Sequence, residues 1–115
     1  MGKDRDISRA EIPPGTLYML ILRSLARLGP MHGYGIAQHI QSLSEDVLQV
    51  EEGSLYPALQ RMLIKGWVTP EWRQTENNRR ARYYRLTPAG KKQLSAEVSG
   101  FEKVMRAIVN VLEPT

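Results

Sequence analysis

SLYPALQRMLIKGWVTPEWRQTENNRRARYYRLTP, residues 54–88, changes its hydrophobic period part-way along, and that change decides the fold. From Ser54 to Lys65 the apolar residues Leu55, Leu59, Met62 and Leu63 recur at helical spacing and form a buried stripe. Pro57, Gln60, Arg61 and Ile64 face away from it, with Ser54 and Lys65 at the margins. Gly66 suits the end of this helix, and Pro57, tolerable only near a helix start, marks its first turn. Beyond Gly66 the segments 67–74 and 80–86 read as two strands, the second rich in β-formers such as Tyr83 and Tyr84. Pro70 makes the first an edge strand or interrupts it. The polar run Thr75-Glu76-Asn77-Asn78-Arg79 joins them as a turn, since asparagine tolerates left-handed backbone angles.

Outward from this stretch, Thr87-Pro88 is a helix start, a hydroxyl cap followed by proline at the first helical position. The helix runs to about Leu112. Along it Leu94, Val98, Phe101, Met105, Ile108 and Leu112 alternate steps of four and three residues, a seam of coiled-coil type that must be buried, most simply against another protomer. Upstream, a helix capped by Thr16 ends before Gly29-Pro30, with Leu17, Leu20, Ile21, Leu25 and Leu28 as its stripe. Tyr18, Met19 and Leu22 add apolar surface off that stripe, so a second partner is expected, with Tyr18 and Leu22 at a subunit contact. The next helix spans residues 33–43, with Ile36, Ala37, Ile40 and Leu43 inward, and Glu45-Asp46 form an acidic connector.

Three helices, a hairpin and a final helix make a mainly α winged helix-turn-helix with a C-terminal dimerisation helix. The expected division is an arm over residues 1–14, a DNA-binding domain over 15–86 and the dimerisation helix over 87–115. Composition allows one domain: 42% hydrophobic and 24% charged residues lie in the ordinary globular range, which argues against disorder. There is no cysteine, so disulfides and thiolate metal sites are excluded, and a reducing cytoplasm fits. No apolar run reaches the roughly 18 residues of a membrane span, and residues 1–12 lack a signal-peptide core.

The net charge of +4 is concentrated. Between Trp72 and Lys92, Arg73, Arg79, Arg80, Arg82, Arg85, Lys91 and Lys92 stand against Glu76 alone, a local field that attracts a polyanion. On the third helix Ser54, Gln60, Arg61 and Lys65 can reach base edges or phosphates, and on the wing Asn78, Arg79, Arg80 and Arg82 suit the DNA backbone. Gln60 is the better base reader, and Arg61 and Lys65 the better phosphate anchors. Ile64 either touches a thymine methyl or packs on a neighbour. Trp67 and Trp72 have opposite strand parity, so one faces inward. His32 and His39, seven residues apart without cysteine, read as structural rather than as metal ligands. No nucleophile has a base and orienter, so catalysis is not expected, nor any cofactor.

Four sequence words extend the reading. They are Gly15-Thr16-Leu17, Gly29-Pro30-Met31-His32-Gly33-Tyr34, Gly53-Ser54-Leu55-Tyr56-Pro57-Ala58-Leu59 with Arg61 and Gly66, and Tyr83-Tyr84-Arg85-Leu86-Thr87-Pro88-Ala89-Gly90. In these the chain resembles the PadR family, regulators named for control of phenolic acid decarboxylase. The resemblance implies a homodimeric repressor on an inverted-repeat operator in double-stranded DNA, released by a small aromatic or cationic effector. It gives Tyr56 a DNA-backbone contact, and Pro57, facing outward on the same helix, is counted in that interface. The single final helix is similar to the short subfamily, some of whose members hold flat drugs at the dimer centre. Here that helix carries one aromatic, Phe101, and no tryptophan, a departure from such a site. Two alternatives stay open: a winged helix that grips an acidic protein partner, and a DNA binder without an effector.

Overall fold

The computed structural model describes residues 12–13 and 15–113; the rest of the expected N-terminal arm lies outside the described residues. Among them run helices α1 (Leu17–Leu28), α2 (Gly33–Leu43), α3 (Glu52–Ile64) and α4 (Pro88–Leu112). Strands β1 (Met31–His32), β2 (Val68–Gln74) and β3 (Arg80–Leu86) form one antiparallel sheet in the order β1-β3-β2. No helix among the described residues is long and apolar enough to cross a membrane.

The change of period at Gly66 is where helix gives way to sheet. Gly66 takes φ +78°, its N–H donates to the Leu63 carbonyl at 3.1 Å, and the Trp67 N–H donates to Met62 at 3.0 Å. These two bonds close the last turn of α3 in a Schellman motif that favours glycine. The hairpin then pairs Val68 with Leu86 through to Gln74 with Arg80. Asn78 takes the left-handed conformation at φ 60°, and Pro70, without a ladder donor, lies on the edge strand β2. Thr87 caps α4, accepting from the Gly90 N–H at 3.0 Å while its hydroxyl donates to the Gly66 carbonyl at 2.7 Å.

The core joins α1, α2 and α3 to the base of the sheet and the first turns of α4. Its centre is Ile21, Leu22, Leu25, Ile36, Leu55, Leu59, Met62 and Val68, with Tyr84 and Leu94 at its border. Leu22 was expected at a subunit contact; it is 0% exposed and has no surface to offer a partner. The buried arc of α1 is rotated from the expected stripe toward Met19, Leu22 and Leu25, because α4, α2, β3 and α3 all pack on this helix. Leu28 is left exposed. The second partner of α1 therefore includes the chain's own last helix.

Four local expectations are also corrected. Thr16 does not cap α1: its backbone is already helical, and its hydroxyl donates to the Pro13 carbonyl at 2.7 Å. Leu43 is exposed, since the last turn of α2 runs past the core. Helix α3 starts at Glu52 rather than Ser54, so Pro57 lies in its second turn. Its ring faces solvent there, and the carbonyl it cannot engage belongs to Gly53. In the buried stripe of α3, Ala58 takes the deep position expected of Leu63, which is only half-buried.

Candidate nucleic-acid interface

Helix α3 presents three strips besides its core face. Leu55, Ala58, Leu59 and Met62 point inward. At 100° per residue the side opposite them carries Gly53, Pro57, Gln60 and Ile64, all exposed, with Ile64 at 77%. Toward α2 lies Tyr56, its ring against the first turn of that helix. A Cβ on Gly33 would fall 2.7 Å from Tyr56 Cε1 and 2.9 Å from the hydroxyl oxygen. Glycine at 33 thus lets the tyrosine lie on the α2 backbone with its hydroxyl at the edge of the surface. Helix α2 is itself started by His32, whose Nδ1 accepts from the Gly35 N–H at 3.0 Å. That capping role is structural, and nothing in the spacing of the histidines announced it.

The third strip carries Ser54, Arg61 and Lys65 on the side of α1. The Arg61 Nε donates to the Tyr18 hydroxyl, and the Tyr18 ring meets Trp67 edge-on with centroids 5.7 Å apart. Lys65 Nζ lies 5.3 Å from the Trp67 ring centre, within cation–π range. Both α3 cations are therefore drawn toward α1 and the start of β2, away from the outward ridge. Tyr18, expected at a subunit contact, has its hydroxyl engaged by this intrachain cluster.

On the hairpin, residues paired across strands share a face. One face carries Val68, Pro70, Trp72 and Gln74 with Arg80, Arg82, Tyr84 and Leu86; its inner end enters the core and its outer end is exposed. There Arg80 Cζ lies 5.2 Å from the centre of the exposed Trp72 ring. Arg82 is half-buried, its Cζ 5.8 Å from the Tyr84 ring, and its shielded Nε has no hydrogen-bond partner among the described residues. Burial pushes the Tyr84 hydroxyl above its ordinary pKa against the opposing pull of Arg82, so it stays protonated at neutral pH.

On the other hairpin face a single carboxylate is shared by two guanidiniums, which lowers its positive charge without cancelling it. Glu71 accepts from Arg73 and from Arg85 Nε and Nη2 at 3.2 and 3.1 Å. The hydrogen bond from Arg73 is the main cause that holds the Glu71 carboxyl below its ordinary pKa. Two cations of the basic segment are thereby paired. Most of the uncompensated charge gathers on Arg79 at the tip and on Arg80 and Arg82 of the Trp72 face, beside exposed Asn78.

Sequence reasoning missed a groove of about 820 Å³ between α2 and α3, where Tyr34, Gln38, Glu45, Asp46, Glu52 and Tyr56 meet. Its carboxylates border the Tyr56 strip, and they reach it through a turn in which Glu45 and Asp46 both take positive φ, 53° and 66°. Consecutive left-handed residues that are not glycine leave no signature in a hydrophobic pattern.

The expected α4 seam divides. Leu94 is buried and Val98 half-buried against the protomer's own domain, so Leu94 belongs to the intrachain core rather than to a subunit contact. From Ser99 to Glu113 every residue is exposed, including Phe101, Val104, Met105, Ile108, Val109, Val111 and Leu112.

Comparison with known proteins agrees with this architecture. Residues 21–96 match the transcriptional regulator PadR-like family. A transcriptional regulator of Mycobacterium tuberculosis is 35% identical over 69 residues, which cover 60% of this chain and 64% of that protein. A transcriptional regulator from Clostridium thermocellum superposes with a TM-score of 0.78 at 26% identity, over 86% of this chain and 95% of the other. A PadR family transcription regulator from Clostridium difficile superposes with a TM-score of 0.73 at 28% identity, over 86% of this chain and 100% of the other. These relatives are regulators rather than enzymes, and the chain belongs to the PadR-like family of transcriptional regulators, with the DNA binding that membership implies.

Proposed function

We propose that this protein is a homodimeric cytoplasmic repressor that binds an inverted-repeat operator in double-stranded DNA and leaves it when a small aromatic or cationic effector binds. In this reading residues 15–86 form the DNA-binding unit and residues 87–115 the dimerisation helix. The α3 ridge enters the major groove. Ser54, Tyr56, Pro57, Gln60, Arg61 and Lys65 form its contact surface, and Asn78, Arg79, Arg80 and Arg82 hold the flanking backbone. The observation that carries the reading is the pairing of an exposed α3 ridge with a hairpin whose cations without an ion pair among the described residues lie at its tip and on one face. The exposed apolar half of α4 supports a dimer.

The test is fluorescence anisotropy with DNA from upstream of the protein's own gene against a scrambled duplex, at several salt concentrations. A preference of about a thousandfold or more is expected of a specific regulator. Equal, steeply salt-dependent binding to both duplexes, with a basic-wing pull-down of an acidic protein, would favour the interaction-module reading instead. Release of a preformed complex by titrated aromatic cations tests the effector; a complex indifferent to them is a constitutive binder. Arg80→Ala is expected to weaken all duplexes alike and to lower the salt slope by about one unit, as removal of one phosphate contact does. A loss confined to one sequence contradicts a backbone role for Arg80.

A further inference from the structure

We propose, resting on the operator-binding reading above, that α3 reads an A·T-containing half-site, with Gln60 on an adenine and Ile64 on a thymine methyl no more than about two base pairs away. The outward ridge has four members, and Gly53 and Pro57 carry no hydrogen-bonding side-chain group. Gln60 is the one polar side chain on it. Its amide offers a donor and an acceptor together, the complement of adenine N7 and N6–H in the major groove. Guanine shows two acceptors there, N7 and O6, and would set one of them against the amide oxygen.

The usual readers of guanine are arginine and lysine. Both cations of α3 are drawn elsewhere, Arg61 by the Tyr18 hydroxyl and Lys65 by the Trp67 ring. They remain placed for phosphates on the α1 side, which adds affinity without sequence preference. Ile64 completes the ridge. It is an isoleucine 77% exposed, one helical turn beyond Gln60, on a face otherwise without large apolar groups. The apolar feature of the major groove that would cover it is the thymine C5-methyl. Four residues of helix rise about 6 Å, less than two base-pair steps of about 3.4 Å, which sets the separation of the two bases.

The experiment selects bound duplexes from a random pool with the full chain, then edits single atoms of the selected site. Replacing adenine by 7-deazaadenine removes only N7; replacing thymine by uracil removes only the methyl. At one position per half-site, 7-deazaadenine is expected to weaken wild-type binding about tenfold and to leave Gln60→Ala unaffected. Uracil at a position within two base pairs is expected to weaken the wild type about fivefold and to leave Ile64→Ala unaffected. Both side chains are exposed, so neither variant disturbs the core. A selected half-site of G·C pairs across the α3 footprint overturns the inference while leaving the regulator reading intact. So does equal sensitivity of wild type and variants to the edited bases. A pool from which no sequence is enriched overturns both.

Discussion

Gly90→Ala is expected to melt well below the wild type, by on the order of 10–20 °C at equal protomer concentration. Gly90 lies in the first turn of α4, and a Cβ there would stand 2.1 Å from the Trp67 carbonyl oxygen, 3.1 Å from its carbon and 2.7 Å from Leu86 Cδ1. The first two are backbone atoms that cannot turn aside. The Trp67 carbonyl also accepts from the Thr87 N–H at 3.0 Å, and the Thr87 hydroxyl bonds the Gly66 carbonyl. The segments that enter and leave the hairpin are thus clasped at this point, directly beside buried Val68.

To admit a methyl group, α4 must lift from the clasp and draw Leu94 out of the core. Overpacking against fixed atoms costs about 1–3 kcal/mol or more, out of a total stability of about 5–15 kcal/mol. Each kcal/mol shifts Tm by about 4–8 °C in a domain near this size. The matched control is Gly100→Ala in the same helix, where an added Cβ meets nothing within 4 Å in the protomer. It is expected to gain about 0.5–1 kcal/mol, because glycine in a helix interior is less favourable than alanine. Circular dichroism melts read both. If Gly90→Ala melts within two or three degrees of wild type, α4 does not rest on the hairpin base as described.

The contrast between these two glycines bears on what the sequence could reveal. Features set by neighbouring residues were legible: α2 over residues 33–43, the hairpin and its Asn-containing turn, the closing glycine at 66 and the Thr87-Pro88 start. Each depends on a local dihedral preference or a local period. What depended on distant packing was not. Leu22 looked like spare apolar surface until α4, 60 and more residues away in sequence, packed against α1. Strand β1 has only two residues, Met31 and His32, too few for alternation to register, and it forms because Tyr84 and Tyr83 offer an edge.

The candidate interface divides in the same way. The outward ridge of α3 follows from periodicity, since whatever is not in the stripe must face out. The direction of each cation does not. Arg61 is set by a tyrosine 43 positions away. Arg73 and Arg85 counted toward the basic segment until the register placed Glu71 between them. A charge total along the chain measures how much field there is, whereas strand parity decides which face carries it.

The other large effect is expected from Met105→Asp with Ile108→Asp, which should convert the proposed dimer into folded monomers. Helix α4 has 25 residues and so is about 37 Å long. Its first turns are fixed to the domain by Leu94 and Val98, and the remainder runs into solvent carrying seven large exposed apolar side chains from Phe101 to Leu112. A strip of that extent is uncommon on a monomer. Phe101, Met105, Ile108 and Leu112 step by four, three and four, the spacing at which a second helix interlocks. In the proposed dimer a second copy of this chain would supply such a helix.

Two carboxylates in the middle of that seam would be desolvated against a helix carrying the same two charges, a cost beyond what the remaining apolar contacts can offset. Because every residue from Ser99 to Glu113 is exposed within the protomer, the helical content and thermal folding of the domain should survive. Sedimentation should then report the monomer mass. Affinity for a two-half-site operator should fall by about a hundred- to ten-thousandfold, the gain that linkage of two reading heads confers. Affinity for an isolated half-site should not change. A double variant that still sediments as a dimer places the subunit contact elsewhere than on α4. One that unfolds instead shows that the domain does not fold without a cover on the apolar strip.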